Sequence, residues 1–316
     1  MITTDFMMNL LKRLQEERGI AESTAAQYLR SLYALNDRQP FKNLAWTKRY
    51  EDIQRRIDGY AESTRSSLYT VLVSALSLFA TKPAYKSAHA HWTTAMNDAE
   101  AQKKATAAAS PHSKTEKQAE NWMSWDEVAS KASALSTEVS SFRSSKHLTP
   151  AQWDRLVDCV VMALYTMMPP RRNADFFHMW VVKKMPAEPE KAKNYYDVST
   201  GRFHFYKYKT AKTYGEQVEV APDALRSLLA DFIKHHPLAG GKTREFRLLV
   251  RADGTPPASD NAITRILNRV FGKKVGSSLL RHIYLSSKYG DQVKEMEEDA
   301  AAMGHSVGMQ KEYIKT

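Results

Sequence analysis

The chain has 316 residues, of which 43% are hydrophobic and 26% charged, a composition that excludes a disordered chain. Lysine and arginine number 46 against 35 acidic residues, and the resulting charge of +11 favours a polyanionic partner, most simply nucleic acid. The single cysteine, Cys159, excludes an internal disulfide and a cysteine-based zinc cluster. Since no signal peptide and no apolar run of about 20 residues is found, we expect an intracellular protein of the cytoplasm or nucleus, without a membrane span.

The first hundred residues have the periodicity of helices. Apolar residues recur at helical spacing in four stripes that start at Phe6, Tyr28, Tyr50 and Leu68. Basic side chains lie between the stripes, and we predict that Lys48, Arg49 and Arg65 contact DNA phosphates; the alternative is an ordinary solvated face. The sequence therefore predicts a helical DNA-binding domain over residues 1–103.

A change of composition separates this domain from a second one. Residues 104–120 are rich in Ala, Lys, Ser and Thr and have few bulky apolar residues, which is typical of a helix end that continues into a linker. The second domain is predicted to span residues 121–316.

The second domain is predicted to be mostly helical with a small antiparallel sheet. A buried helix must end before Pro169, and further helices are expected over DALRSLLADFIKHH and from Ser259 onward. Between them, FFHMWVV, YYDV, FHFYKYK and QVEV are predicted to be short strands, with turns at residues 199–201 and 213–215. The predicted fold class is thus mainly α.

Four segments of the second domain carry residue types suited to chemistry on a phosphodiester: PPRRNADF, FYKYKTAKTYGEQVEV, SSLLRHIYLSS and MGHSVGMQKEY. Arginines bind the non-bridging oxygens of a phosphodiester, and a lysine can protonate the leaving oxygen. A tyrosine can then act as nucleophile and form a covalent phosphotyrosine. This chemistry needs no metal and no cofactor, and we expect none.

In this order the four segments resemble the tyrosine recombinase (phage integrase-like) family, over roughly residues 145 to 316. The N-terminal domain resembles the core-binding domain of that family, and the Pro-Pro before the arginines resembles forms from large DNA viruses and mobile elements. The resemblance implies a site-specific DNA recombinase or integrase that cleaves and rejoins double-stranded DNA through a 3′-phosphotyrosine. The catalytic residues that it implies are Arg172, Lys209, Arg281, His305 and Tyr313.

Several neighbouring residues compete for these roles or assist them. Arg171 is the rival of Arg172, although a solvent-exposed or DNA-contacting role suits it better, and Asp175 is the acid that would orient neighbouring groups. Lys212 is the rival of Lys209, with Lys207 a lesser one; Lys209 is preferred because the end of a strand is better fixed than a turn.

One position departs from the family pattern. A histidine commonly lies three residues before the second arginine, where this chain has Ser278. A serine can hydrogen-bond a phosphate but is no base near neutral pH. Either His282 or a water therefore assists deprotonation, or the arginines and the lysine are sufficient; His282 is otherwise expected to face the core.

Two other functions use the same residues. A type IB topoisomerase has similar chemistry, but the helical N-terminal domain favours a recombinase, and Ser278 leaves open a DNA-binding protein that has lost catalysis. The resemblance implies a tetramer in the DNA synapse. Since only three residues follow Tyr313, too few for a docking helix, we expect a monomer without DNA.

Overall fold

The computed structural model describes residues 3–109, 113–241 and 244–314, and within them the protein is mainly α-helical, as predicted. The chain forms two compact units, Met1–Ser113 and Lys114–Thr316. None of the helices in the described residues combines the length and the apolar character that crossing a membrane requires.

The first unit is entirely helical in its described part. Its helices are α1 (Asp5–Glu16), α2 (Glu22–Leu35), a 3₁₀ turn (Ala45–Lys48), α3 (Tyr50–Asp58), α4 (Glu62–Ser77) and α5 (Pro83–Ala109). The apolar stripes of the sequence meet in one core, in which Leu10, Leu32, Leu72 and Trp92 are fully buried. Burial of these stripes, rather than helix propensity, holds such short helices together.

The segment predicted as a linker is partly helical. Residues 104–109 complete α5, and 116–121 form a short helix that belongs to the second unit; residues 110–112 lie outside the described residues. The boundary between the two units therefore falls inside the predicted linker.

The second unit is built around one buried helix. Its helices are α6 (Glu116–Asn121), α7 (Trp125–Ser140), α8 (Pro150–Thr166), α9 (Asn173–Phe177), α10 (Ala211–Tyr214), α11 (Asp223–His235), α12 (Asn261–Phe271), α13 (Ser277–Ala302) and α14 (Val307–Tyr313). Helix α8 begins with a capping box of Thr149 and Gln152 and ends before Pro169, as predicted. Its residues from Leu156 to Tyr165 are all buried, so α8 forms the centre of the core.

An ion-pair network fixes α7 and α12 to α8. Asp158, on α8, is only 1% exposed and accepts hydrogen bonds from Arg155 at 3.1 Å and from Nε of Arg269, on α12, at 3.2 Å. Arg155 also pairs with Glu138, on α7. A buried carboxylate is tolerated in such a core because two guanidinium groups replace its hydration.

The sheet has five strands in the order β4–β3–β2–β1–β5: β1 (Met179–Val182), β2 (Asn194–Asp197), β3 (Arg202–Phe205), β4 (Gln217–Val220) and β5 (Glu245–Arg247). The prediction of an antiparallel sheet was wrong for one pair, because β1 and β2 run parallel, joined by residues 183–193. A connection of that length lets the chain return to the same edge, which a tight hairpin cannot do. The three-residue β5 was not predicted.

Candidate functional site

Arg172 lies in an extended loop between α8 and α9. Pro169 and Pro170 prevent α8 from continuing, and Arg172 then takes the N-cap position of α9 with φ −75° and ψ 152°. Its carbonyl accepts the backbone N–H of Asp175 at 3.0 Å. The backbone at Arg172 is therefore fixed by the start of α9, and its partly buried side chain is directed by that turn.

Arg171 does not have the exposed position that the sequence suggested. Its guanidinium donates to Oδ2 of Asp175 at 3.1 Å and to Oε1 of Gln217 at 2.9 Å, and it lies 3.7 Å from the ring centre of Phe205. Only 16% of the side chain is exposed. Arg171 therefore links α9 to the sheet. Its guanidinium is not exposed, as a contact with DNA would require.

Asp175 is the buried acid next to the two arginines. It is 3% exposed, and while Oδ2 accepts from Arg171, Oδ1 is buried without a hydrogen-bond partner. Burial raises the pKa of this carboxyl, and the positive charges of Arg171 and Arg172 oppose that rise. Among the described residues no three His, Cys, Asp or Glu side chains are grouped as a metal ion would need.

Arg172 and Arg281 are close enough for their charges to interact. Arg281 lies in the second turn of α13, partly buried, and its Nε donates to the carbonyl of Ser277 at 3.4 Å. Burial lowers the pKa of the Arg281 guanidinium, and repulsion from Arg172 lowers it further. Within residues 3–109, 113–241 and 244–314 neither guanidinium forms an ion pair with a carboxylate. The charge of Asp175 attracts both guanidinium groups and offsets part of this repulsion.

A partly buried hydrogen-bond network that the sequence did not reveal connects the loop of Arg172 to α8 and α12. The hydroxyl of Tyr165 donates to Oδ1 of Asn173 at 3.0 Å. The Asn173 amide donates in turn to Oγ1 of Thr264 at 2.7 Å and to the carbonyl of Asp260 at 3.3 Å. Asn173 directly follows Arg172, so this network holds the arginine's own backbone.

Asn194 fixes the start of the lysine-bearing segment. This fully buried residue opens β2, and its amide donates to the carbonyls of Asp175 at 2.7 Å and Lys207 at 3.0 Å. Its Oδ1 accepts the backbone N–H groups of Tyr206 at 2.9 Å and Lys207 at 2.7 Å. One side chain thus joins α9 to the end of β3; nothing in the sequence pattern singled it out.

The lysines lie beyond the end of the strand. Strand β3 ends at Phe205, so Lys209 lies in the turn that follows and not at a strand end, and Lys212 lies on α10. Both side chains are exposed. The turn is closed by the hydroxyl of Tyr208, which donates to the carbonyl of Gly215 at 2.7 Å. The preference for Lys209 over Lys212 therefore loses its structural reason and stays a prediction.

Ser278 and His282 are both exposed on α13. Ser278 is the second residue of the helix, near the N-terminus where backbone N–H groups are free to meet an anion. His282 is exposed too, so the expectation that it faces the core was wrong. The core positions of this part of α13 are taken by Leu279, Leu280 and Ile283 instead.

The Gly-His-Ser sequence near the C-terminus is a helix end followed by a helix start. Gly304 adopts φ +72°, and the N–H groups of Gly304 and His305 donate to the carbonyls of Ala301 and Ala300, which is a Schellman motif. Ser306 then caps α14 by accepting the N–H of Met309 at 3.3 Å. Helix capping explains why a glycine and a serine occupy positions 304 and 306. It does not require a histidine at position 305.

His305 and Tyr313 lie side by side. Their ring centres are 5.7 Å apart at an interplanar angle of 28°, and 66% of Tyr313 is exposed. Nδ1 of His305 is buried without a hydrogen-bond partner. The exposed phenol therefore has an imidazole as its immediate neighbour.

This pair is far from the arginine pair in the structure. Helix α13 is continuous from Ser277 to Ala302, with Arg281 near its start and His305 just beyond its end. The 21 helical steps from residue 281 to residue 302 span roughly 30 Å at the rise of an α-helix. The structure thus places the arginines near one end of α13 and the His305–Tyr313 pair beyond the other.

The three DNA contacts predicted in the first unit differ in their surroundings. Arg65 donates to the carbonyls of Tyr60 at 2.7 Å and Asp58 at 2.8 Å, and so satisfies the C-terminus of α3. Arg49 donates to Oδ1 of Asn36 at 2.7 Å. Lys48 is exposed, and no polar partner is found for it in the described part of the chain. Its role as a DNA contact remains a prediction.

No family model and no curated protein matches the chain. Among solved structures, the chain is similar to the crystal structure of XerA recombinase, with 10% identity over 99% of this chain and 93% of that one. The TM-score of this match is 0.37, at which the two backbones agree too loosely for the role of a residue to be transferred from one to the other.

Proposed function

We propose that this protein is a tyrosine-type DNA strand transferase, a site-specific recombinase or integrase acting on double-stranded DNA. The observation that carries the proposal is the pair formed by Arg172 and Arg281, two partly buried guanidinium groups that form no ion pair with a carboxylate among the described residues. A phosphodiester offers two non-bridging oxygens to such a pair. The net charge of +11 supports a nucleic acid as the source of that phosphodiester.

In the proposed reaction the phenol oxygen of Tyr313 attacks the phosphorus, and the bond from phosphorus to the 5′ oxygen breaks. The phenol gives up its proton to a water molecule, and the products are a 3′-phosphotyrosine and a free 5′-hydroxyl, which takes its proton from Lys209 or Lys212. The arginines stabilise the charge on the phosphoryl oxygens in the transition state, and His305 hydrogen-bonds the same group. Attack by another 5′-hydroxyl reverses these steps and rejoins the strands.

Tyr313 reaches the arginines in this proposal when α13 bends at Gly290. A glycine inside a helix costs about 1 kcal/mol relative to alanine, and glycine–serine segments are common places for kinks; Ser286 and Ser287 precede this glycine. Asp291 follows it and is a favourable N-cap for a second helix. The sequence at 290–291 is thus suited both to a continuous helix and to a break.

The exposed apolar residues of α13 and α14 favour the same bend. Leu285 and Tyr289 are 52% and 42% exposed and continue the helix stripe that starts at Arg281. Beyond the glycine, Met309 and Ile314 are 51% and 56% exposed, on either side of Tyr313. Bending places the second group against the first and removes both from water, which stabilises the bent form.

The test is formation of a covalent adduct on a nicked duplex from which the cleaved fragment dissociates. Tyr313→Phe should abolish the adduct and leave DNA affinity unchanged, because only a hydroxyl is lost. Tyr214→Phe is the matched control, since that tyrosine is equally exposed, 67% against 66%, and should retain the adduct. An adduct that persists in Tyr313→Phe would overturn the assignment.

Mixing two inactive variants tests whether the tyrosine acts within its own chain. If α13 bends within one chain, a mixture of Arg281→Ala and Tyr313→Phe stays inactive, because neither chain has both groups. If the mixture forms the adduct, a second copy delivers the phenol and the bend is wrong. Relaxation of supercoils without strand exchange between two duplexes would instead favour the type IB topoisomerase.

A further inference from the structure

We propose that Tyr165 is a positioning residue whose buried hydroxyl fixes the loop that carries Arg172. The inference rests on the proposed function, because it concerns how the arginine pair is held for phosphoryl transfer. Tyr165 itself is fully buried on α8 and reaches neither solvent nor substrate.

The hydroxyl is linked to the first arginine through one residue. It donates to Oδ1 of Asn173 at 3.0 Å, and Asn173 is the residue after Arg172 in the chain. The other end of the Asn173 amide is held by Oγ1 of Thr264 at 2.7 Å, on α12. The amide therefore has a single orientation, with its oxygen towards Tyr165. This orientation fixes the backbone of the loop that carries Arg172.

The same amide is also held from the side of α12. It donates to the carbonyl of Asp260, just before that helix, at 3.3 Å. Burial and the charge of Asp175 raise the pKa of the Tyr165 phenol, so the hydroxyl keeps its proton and remains the donor to Asn173. Tyr165 thus ties the loop of Arg172 to α8.

The hydroxyl is not needed to fill the core. The ring of Tyr165 packs edge-on against Phe176 at 5.4 Å between centres, and a phenylalanine would make the same contact. What the hydroxyl adds is a hydrogen bond from α8 to the start of α9. A bidentate clamp on a phosphoryl group loses rate when its members move by a fraction of an ångström.

The experiment compares Tyr165→Phe with wild-type protein in single-turnover adduct formation on the nicked duplex. We expect the rate constant to fall roughly 10- to 100-fold, with the dissociation constant for DNA changed less than about twofold. Tyr195→Phe is the matched control: Tyr195 is 1% exposed, and its hydroxyl hydrogen-bonds the backbone N–H of Glu190, in the β1–β2 connection. It should react at the wild-type rate.

A second substrate separates positioning from a general structural role. A methylphosphonate at the cleavage site replaces one charged oxygen with a methyl group, so less charge is left for the arginines to stabilise. The defect of Tyr165→Phe should shrink on it, as should that of Arg172→Ala. An equal defect on both substrates, or no defect on the phosphodiester, overturns the inference.

If Tyr165→Phe melts below the assay temperature, Thr264→Val replaces it in both comparisons, and Thr264→Ser, which keeps the hydroxyl that holds Asn173, should recover the rate; equal rates for the wild type and both variants overturn the inference. Wild-type protein that forms no adduct at all refutes the proposed function itself, which distinguishes the two failures.

Discussion

Gly290→Ala tests whether α13 must bend for activity. The glycine lies in the interior of α13, and a Cβ added there meets no atom within 4 Å, so alanine fits the continuous helix without a clash. The substitution therefore changes the balance between the straight and bent helix and leaves the packing of the second unit unaltered.

The expected magnitude follows from two backbone terms. Alanine stabilises the continuous helix by about 1 kcal/mol relative to glycine. In the bent form the same residue ends a helix in the left-handed conformation, where a side chain costs about 1 kcal/mol more. The sum of about 2 kcal/mol lowers the population of the bent form, and with it the cleavage rate, roughly 30-fold.

Single-turnover adduct formation measures this change, with DNA affinity followed separately by fluorescence anisotropy. Gly290→Asn is the matched control, because asparagine is a poor helix former and tolerates the left-handed conformation; it should lose at most a few-fold. A Gly290→Ala protein that cleaves at the wild-type rate would show that α13 acts as a straight helix.

Ser278→Ala should reduce adduct formation only modestly, and Ser278→His should equal or exceed wild type, if the serine merely hydrogen-bonds the phosphate; complete loss in the alanine variant would contradict this. Asp158→Asn should destabilise the second unit by about 2–3 kcal/mol and lower its melting temperature; the loss is no larger because the two arginine partners are partly exposed and screened. Asp223→Asn is the control, because the carboxylate of Asp223 is fully exposed. Burial lowers the pKa of His236 to about 4. The free energy of unfolding is therefore undiminished above the pKa of an unfolded histidine, about 6.5, and it falls by up to about 3 kcal/mol as the pH drops towards 4. Urea unfolding against pH should show this loss reduced in His236→Gln.

The sequence predicted the helices well because their apolar periodicity is long. Helix α8 was predicted from the apolar pattern between Leu156 and Met167, and its end from the two prolines that follow. Helix α12 was predicted from the apolar stripe between Ile263 and Phe271. The direction of β1 was mistaken because a four-residue strand carries no signal of how its neighbour runs. Likewise, the continuity of α13 through Gly290 was not predicted, since a glycine followed by an aspartate equally favours a helix break.

The candidate site was predictable only in part. Order along the chain indicated Arg172 and Arg281, and their catalytic role stays a prediction. The burial of Arg171 was missed because its partners, Asp175 and Gln217, come from a helix and a strand 42 residues apart. Tyr165 was missed for a related reason: a tyrosine in an apolar helix is typical of a core residue, and only its hydrogen bond to another loop makes it more than that.

The four hydrogen bonds of Asn194 have a consequence for how this protein could diversify. All of them end at or before Lys207, and the turn beyond is closed on itself by Tyr208 and Gly215. Apart from Lys209 and Lys212, which the proposed reaction uses, residues 209–214 can therefore change in sequence without loosening the backbone beside Asp175. Variation at these other positions costs little stability.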